Sequence, residues 1–127
     1  MATGLTFDTG ALIGLERRGH RMRRVFISAV EDGIPITVPS VVLLEWWRGG
    51  AGARGRDEIL SAVIIEPLDE RTAKVAAGAM AAVAGATPVD AVVMASAALR
   101  GDTVYTSDFP DLDRLRGYFS AVRLLSA

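Results

Sequence analysis

Residues 88–108 read PVDAVVMASAALRGDTVYTSD, and this stretch carries a helix, a strand and two acids in register with one another. Pro88 to Leu99 is helix-length, with proline where the first helical position tolerates it. Thr103 to Tyr105 is a short run with little apolar/polar alternation, which suits a strand covered on both faces. A helix that feeds a parallel strand must run back down the sheet, so it starts at the edge where the strands end. Asp90 lies in the first turn of that helix. Asp108 follows the strand by three residues. Both acids are therefore expected on the same edge.

The same alternation extends outward. Leu5 to Phe7, Ile34 to Val38, Ala62 to Ile65 and Ala121 to Leu125 are further strand candidates, rich in Val and Ile. Helices are expected at Gly10 to Arg18, Arg21 to Asp32, Val41 to Arg48, Arg56 to Leu60, Arg71 to Val83 and Leu112 to Phe119, with Gly19 and Gly33 as stops. Strands alternating with helices imply parallel crossovers. The expected fold is one α/β domain over residues 1–127, a three-layer α/β/α sandwich around a mostly parallel five-stranded sheet. Ligands in such sheets bind outside the carboxyl ends of the strands. Asp8 directly follows the first strand, and Glu45 sits about two turns into the helix after the second. Asp8, Glu45, Asp90 and Asp108 are thus expected to share one edge.

Each acid also has a plain structural reading. Asp8 suits an N-cap for the helix opening at Gly10. Asp90 completes Thr87-Pro88-Val89-Asp90, a capping box. Asp108 suits a cap on the turn around Pro110. Glu45 lies in Val41-Val-Leu-Leu-Glu-Trp-Trp47, where a carboxylate facing the core is costly unless paired or metal-bound, and the alternative is a surface glutamate. Together the acids say more. Four carboxylates in one pocket repel each other and do not all stay ionised. A divalent cation resolves the conflict, and all-oxygen ligands suit Mg²⁺ or Mn²⁺. Such an ion equips a site to activate water against a phosphodiester. Thr106 and Ser107 beside Asp108 are expected to hydrogen-bond a carboxylate or a bound water.

Bulk properties narrow the classes. The 127 residues are half hydrophobic and 23% charged, which is globular rather than disordered. There are no cysteines, so disulfides and cysteine zinc sites are excluded, and a reducing cytoplasm is compatible. The single histidine, His20, excludes a histidine-rich metal site and is expected to be exposed and uninvolved. The net charge of -1 supplies no global attraction for nucleic acid. The start, MATGLTFDTG, has no signal-peptide pattern, and residues 75–99 read as two short buried helices rather than a membrane span.

Four motifs in order resemble those of the PIN-domain family. They are Phe7-Asp8-Thr9-Gly10-Ala11-Leu12-Ile13, Val38 to Gly49 with Glu45 on its helix, Pro88 to Ala95 around Asp90, and Val104-Tyr105-Thr106-Ser107-Asp108. The resemblance covers nearly the whole chain and is nearest to VapC-type toxins. It implies a Mg²⁺- or Mn²⁺-dependent endoribonuclease that cuts structured RNA such as tRNA or rRNA. It also implies a homodimer, and a cognate antitoxin that blocks the site. The family often has a further acid after the fourth, for which Asp111 is the candidate.

Other classes fit less well. A phospho-receiver domain would want an acidic pair after strand one, an Asp after strand three and a Lys after strand five. The chain offers Asp8 alone, Asp69 and Arg123. A haloacid-dehalogenase phosphatase would want Asp-x-Asp where Asp8-Thr9-Gly10 stands. A non-catalytic binding protein on the same fold has no need of all four acids. Three further features carry expectations. Ala73 to Ala84 suits close packing on the sheet, or a dimer seam. Arg17, Arg18, Arg21, Arg23 and Arg24 form a solvated face, or a contact for RNA phosphate or antitoxin. Trp46 and Trp47 must diverge by about 100° on their helix, so one points away from the core.

Overall fold

In the computed structural model, which describes residues 3–17, 20–47 and 52–127, five strands form one sheet. They are β1 (Leu5–Phe7), β2 (Ile36–Pro39), β3 (Ile64–Glu66), β4 (Thr103–Thr106) and β5 (Arg123–Ser126), in the order β3-β2-β1-β4-β5. Every pairing is parallel. Seven helices among the described residues connect them: α1 (Thr9–Glu16), α2 (His20–Glu31), α3 (Ser40–Trp46), α4 (Ala53–Ser61), α5 (Glu70–Ala82), α6 (Pro88–Arg100) and α7 (Phe109–Arg116). From β1 to β3 the chain steps one way across the sheet, and from β3 to β5 it steps back. Right-handed crossovers then put the two groups of helices on opposite faces. The switch in direction leaves a crevice at the carboxyl ends of β1 and β4.

Strands β2, β3 and β5 each start two residues later than their apolar runs begin. The reason is the same in all three. The first apolar residues close the preceding turn: Ile34 N–H bonds to Ala29 O, Val63 N–H to Leu60 O and Val122 N–H to Phe119 O. Gly33, at φ +68°, supplies the left-handed turn that ends α2. Helix α7 starts three residues earlier than expected, because Pro110 falls in its first turn, where a missing N–H costs nothing.

The core centres on α6. Residues Ala91 to Ala97 are all buried, so this helix is enclosed on every side. Its small side chains let α5 lie directly alongside through Ala76 and Ala79. Gly78 faces the Tyr118 hydroxyl, which a Cβ would approach to 2.8 Å. Within α5, Thr72, Ala76 and Ala79 are buried against the fold, which is the packing expected of Ala73 to Ala84. Among the described residues no helix is long and apolar enough to cross a membrane.

A polar knot that the hydrophobic pattern gave no sign of ties α6 to the sheet. The Arg100 guanidinium donates to Glu66, to Asp102 Oδ2 at 2.9 Å, to Thr6 Oγ1 at 2.7 Å and to Ser96 Oγ at 2.6 Å. The Thr6 hydroxyl in turn donates to Asp102 at 2.8 Å, and the Ser96 hydroxyl to Glu66 at 2.8 Å. Removing the guanidinium leaves two partly or fully buried carboxylates without a counter-charge. Arg100→Ala is expected to lower the unfolding free energy by ~2–4 kcal/mol, at the low side of values for fully buried pairs because solvent reaches the edge of this one. Urea titration followed by circular dichroism measures it.

Candidate active site

Phe7 and Tyr105 lie side by side in the register of β1 and β4, so the turns that follow these strands meet. Gly10 permits the meeting. A Cβ at that position would stand 1.8 Å from Ser107 Oγ. Asp8, at the end of β1, is buried and caps α1 by accepting from Ala11 N–H at 2.8 Å. Buried Thr106, at the end of β4, binds the Asp8 carboxylate with its side chain. The Thr106 oxygen also accepts from Asp108 N–H at 2.9 Å. One hydroxyl thus fixes both neighbours.

Asp108 occupies the position before α7, but its side chain makes no capping bond. Asp90, in the first turn of α6, donates its N–H to Thr87 Oγ1 at 3.2 Å, so the expected cap exists and comes from Thr87. Glu45 is exposed rather than turned into the core, and its neighbour Leu44 is 84% exposed. Glu45 Oε1 accepts from the Thr9 hydroxyl at 2.6 Å. Asp111 sits in the first turn of α7 and accepts from Arg114 at 2.8 Å.

These acids line one hollow of about 280 Å³: Asp8, Glu45, Asp90, Asp108 and Asp111, with Thr9, Gly10, Thr87, Val89 and Ser107. Carboxylate oxygens of Asp90, Asp108 and Asp111 lie within 4.8 Å of one another. The crowding shows in their acidities. Burial pushes Asp8 up from 3.8 to about 6, with Asp90 and Asp108 adding repulsion and the bonds from Thr106 and Ala11 opposing it. Burial likewise raises Asp90, helped by Asp111 and Glu45 and opposed by Thr87 and Arg114. Asp108 is raised first by sharing a hydrogen bond with Asp111, then by burial and by the charges of Asp111 and Asp90.

The family model for the PIN domain matches residues 5–117. The chain belongs to the PIN-domain family. Solved structures agree on the fold. The DNA-bound VapBC of Salmonella typhimurium is 16% identical at a TM-score of 0.75, with 98% of each chain covered. A toxin–antitoxin complex from Klebsiella pneumoniae is 20% identical at 0.70, covering 86% of this chain and 89% of that one. FitAcB from Neisseria gonorrhoeae is 20% identical at 0.68, with 95% and 96% covered. No curated protein matches the sequence significantly.

The donor set of this PIN domain fits a hard divalent cation. Every available ligand is oxygen, and three carboxylates already approach closely enough to share one ion. Two contributors escaped the sequence reading. Thr9 orients Glu45, and nothing in a lone threonine after an N-cap foretells that. Arg114 pairs with Asp111 at a three-residue helical spacing, a signal that was available.

The acidities have a consequence for stability. A raised carboxyl pKa means that the native state binds more protons than the unfolded chain between pH 3.8 and about 6. Without divalent metal, the fold therefore loses stability as pH rises through that window, and carries the full penalty above it. Asn at position 8 keeps an oxygen for the α1 cap but no charge. Asp8→Asn is expected to stabilise the metal-free protein at pH 8 by ~1–3 kcal/mol and to flatten its pH dependence. Thermal melts in EDTA from pH 4 to pH 8 check both.

Proposed function

We propose that this PIN domain is a Mg²⁺- or Mn²⁺-dependent endoribonuclease, the toxin of a toxin–antitoxin pair, acting on structured RNA such as tRNA or rRNA. The observation that carries the reading is the convergence of Asp8, Glu45, Asp90 and Asp108, from four separate segments, on one hollow that Asp111 also enters. Gathering so much like charge in one hollow is costly unless a cation and a substrate use it.

Asp8, Glu45, Asp90 and Asp108 would hold the ion, with Asp111, whose carboxylate lies close to those of Asp90 and Asp108, in support. When bound, the ion supplies charge neutralisation at phosphorus and acidifies water. The chain's own residues do the rest. Thr106 keeps the Asp8 carboxylate aimed at the hollow while restraining the backbone of Asp108. Thr9 holds Glu45 by one carboxylate oxygen and leaves the other to orient a water. Val89 gives the hollow its apolar contact, and Ser107 offers a hydroxyl at its rim.

The antitoxin partner is supported by the solved structures of similar fold, two of which are described as VapBC and as a toxin–antitoxin complex. A separate groove of about 750 Å³ between α1, α2 and α4, walled by Leu15, Phe26, Ile27 and Ile59, offers an apolar seat for an antitoxin segment. The phospho-receiver reading loses its second acid. Asp69 caps α5 by accepting from Thr72 N–H at 2.8 Å.

Purified protein with Mg²⁺ or Mn²⁺ is expected to cleave RNA. Asp90→Asn and Asp8→Asn are each expected to reduce the rate by at least a hundredfold while both variants keep the wild-type circular dichroism spectrum. Unchanged cleavage in both variants would overturn the site assignment.

A further inference from the structure

The acidic hollow by itself repels the polyanion it is proposed to cut, and the net charge of -1 gives no compensating field. Cations near the hollow are needed to hold the strand. Half of the basic side chains among the described residues are already committed. Arg54, Arg56, Lys74, Arg100, Arg114 and Arg116 all pair with carboxylates. Arg17, Arg71 and Arg123 form no ion pair among the described residues, and Arg71 and Arg123 stand singly in the chain. The concentrated exception is the start of α2. Arg21, Arg23 and Arg24 are exposed, and none forms an ion pair among the described residues. Arg18 lies outside the described residues.

One contact places the Arg21 side chain. Arg21 Nη1 reaches the backbone oxygen of Ser126 at 3.5 Å. Ser126 is the last residue of β5 and is in register with Thr106 of β4, and Ala127 N–H bonds to Thr106 O at 2.7 Å. Thr106 in turn holds Asp8 and Asp108. The Arg21 guanidinium therefore reaches the same carboxyl edge as the acids, at the end of β5, the strand beside β4. The helix divides its charges. His20 and Arg23 turn to the apolar groove, alongside Phe26 and Ile27. Arg21 and Arg24, three residues apart, share a different face. The long contact to Ser126 engages one of the five guanidinium donors of Arg21 and leaves the others for solvent or ligand.

We propose that Arg21 and Arg24 hold the phosphodiester backbone of the RNA substrate on the β5 side of the acidic hollow. This deepens the ribonuclease reading and rests on it. Arginine suits the task because its planar donors match phosphate oxygens in pairs. Phosphate contacts of this kind position a strand and carry no base preference.

The test separates binding from cleavage. A fluorescein-labelled single-stranded RNA oligonucleotide is titrated with the full-length Asp90→Asn protein in Mg²⁺, from about 50 to 200 mM salt, and followed by anisotropy. Adding Arg21→Gln and Arg24→Gln together is expected to weaken binding and to lower the slope of log affinity against log salt by ~1.4, or ~0.7 for each phosphate no longer neutralised. Arg123→Gln, an exposed arginine at the start of β5, is the control and is expected to leave the slope unchanged. In protein with Asp90 intact, the double arginine variant is expected to raise KM several-fold and to change kcat less than twofold. If wild-type protein cleaves RNA but slope and KM are unmoved, the arginine assignment is overturned and the ribonuclease reading stands. If the double variant loses only its grip on the co-expressed antitoxin, the arginines serve a protein contact and the assignment is again overturned. If wild-type protein neither cuts nor binds RNA, both readings fail together.

Discussion

Like charges gathered where β1 and β4 end are the constraint around which the rest is arranged. Asp8 and Asp108 leave adjacent parallel strands, so the sheet itself sets their separation. The two turns then press together at Gly10 and Ser107, with no room for a side chain on the glycine. Left alone, these carboxylates would drift toward solvent and apart. The Thr106 side chain prevents this by binding one acid and the backbone of the other. The hollow is thus a strained electrostatic arrangement held by short-range packing, and that is a recurrent feature of sites tuned for chemistry.

Such an arrangement needs a rigid support, and α6 supplies it. Its two ends are electrostatic opposites. At the start, Asp90 faces other acids and rises in pKa. At the end, Arg100 is fully engaged by Glu66, Asp102, Thr6 and Ser96. The buried run Ala91 to Ala97 joins the two, packed too tightly for either end to shift without disturbing the core. Thr6, which meets Arg100, is only two residues before Asp8. The knot at one end of α6 and the acid at the other therefore act on the same strand.

The sheet, its parallel sense and the shared edge of the acids were legible in the sequence because they follow from the alternation of apolar runs and helices. The strand starts were not. Ile34, Val63 and Val122 carry the hydrophobicity of a strand yet close the turn before it, and composition cannot separate these roles. At the site, the position of each acid in its motif was readable, but its partner was not. Asp108 looked like a cap and caps nothing. Glu45 looked enclosed by Leu44 and the tryptophans. Trp46 is indeed buried, but Leu44 and Trp47 are exposed, so the open side of α3 carries the glutamate. Long-range pairings such as Thr9 with Glu45 and Arg100 with Glu66 depend on tertiary placement, which local pattern does not encode.

A near-zero net charge conceals how unevenly the charge is spread. Acids collect in the crevice, and among the described residues Arg21, Arg23 and Arg24 at the start of α2 form no ion pair, with Arg21 reaching the end of β5. Screening in physiological salt is effective beyond about 8 Å, so a distant basic patch would do little for a strand entering the hollow. Arg21 reaches the end of β5, one strand from β4, whose following turn carries Asp108. A cation in the hollow would cancel repulsion at the phosphate being attacked, but not at its neighbours along the strand. Those neighbours need fixed positive charge outside the hollow, and the α2 face is where the fold provides it.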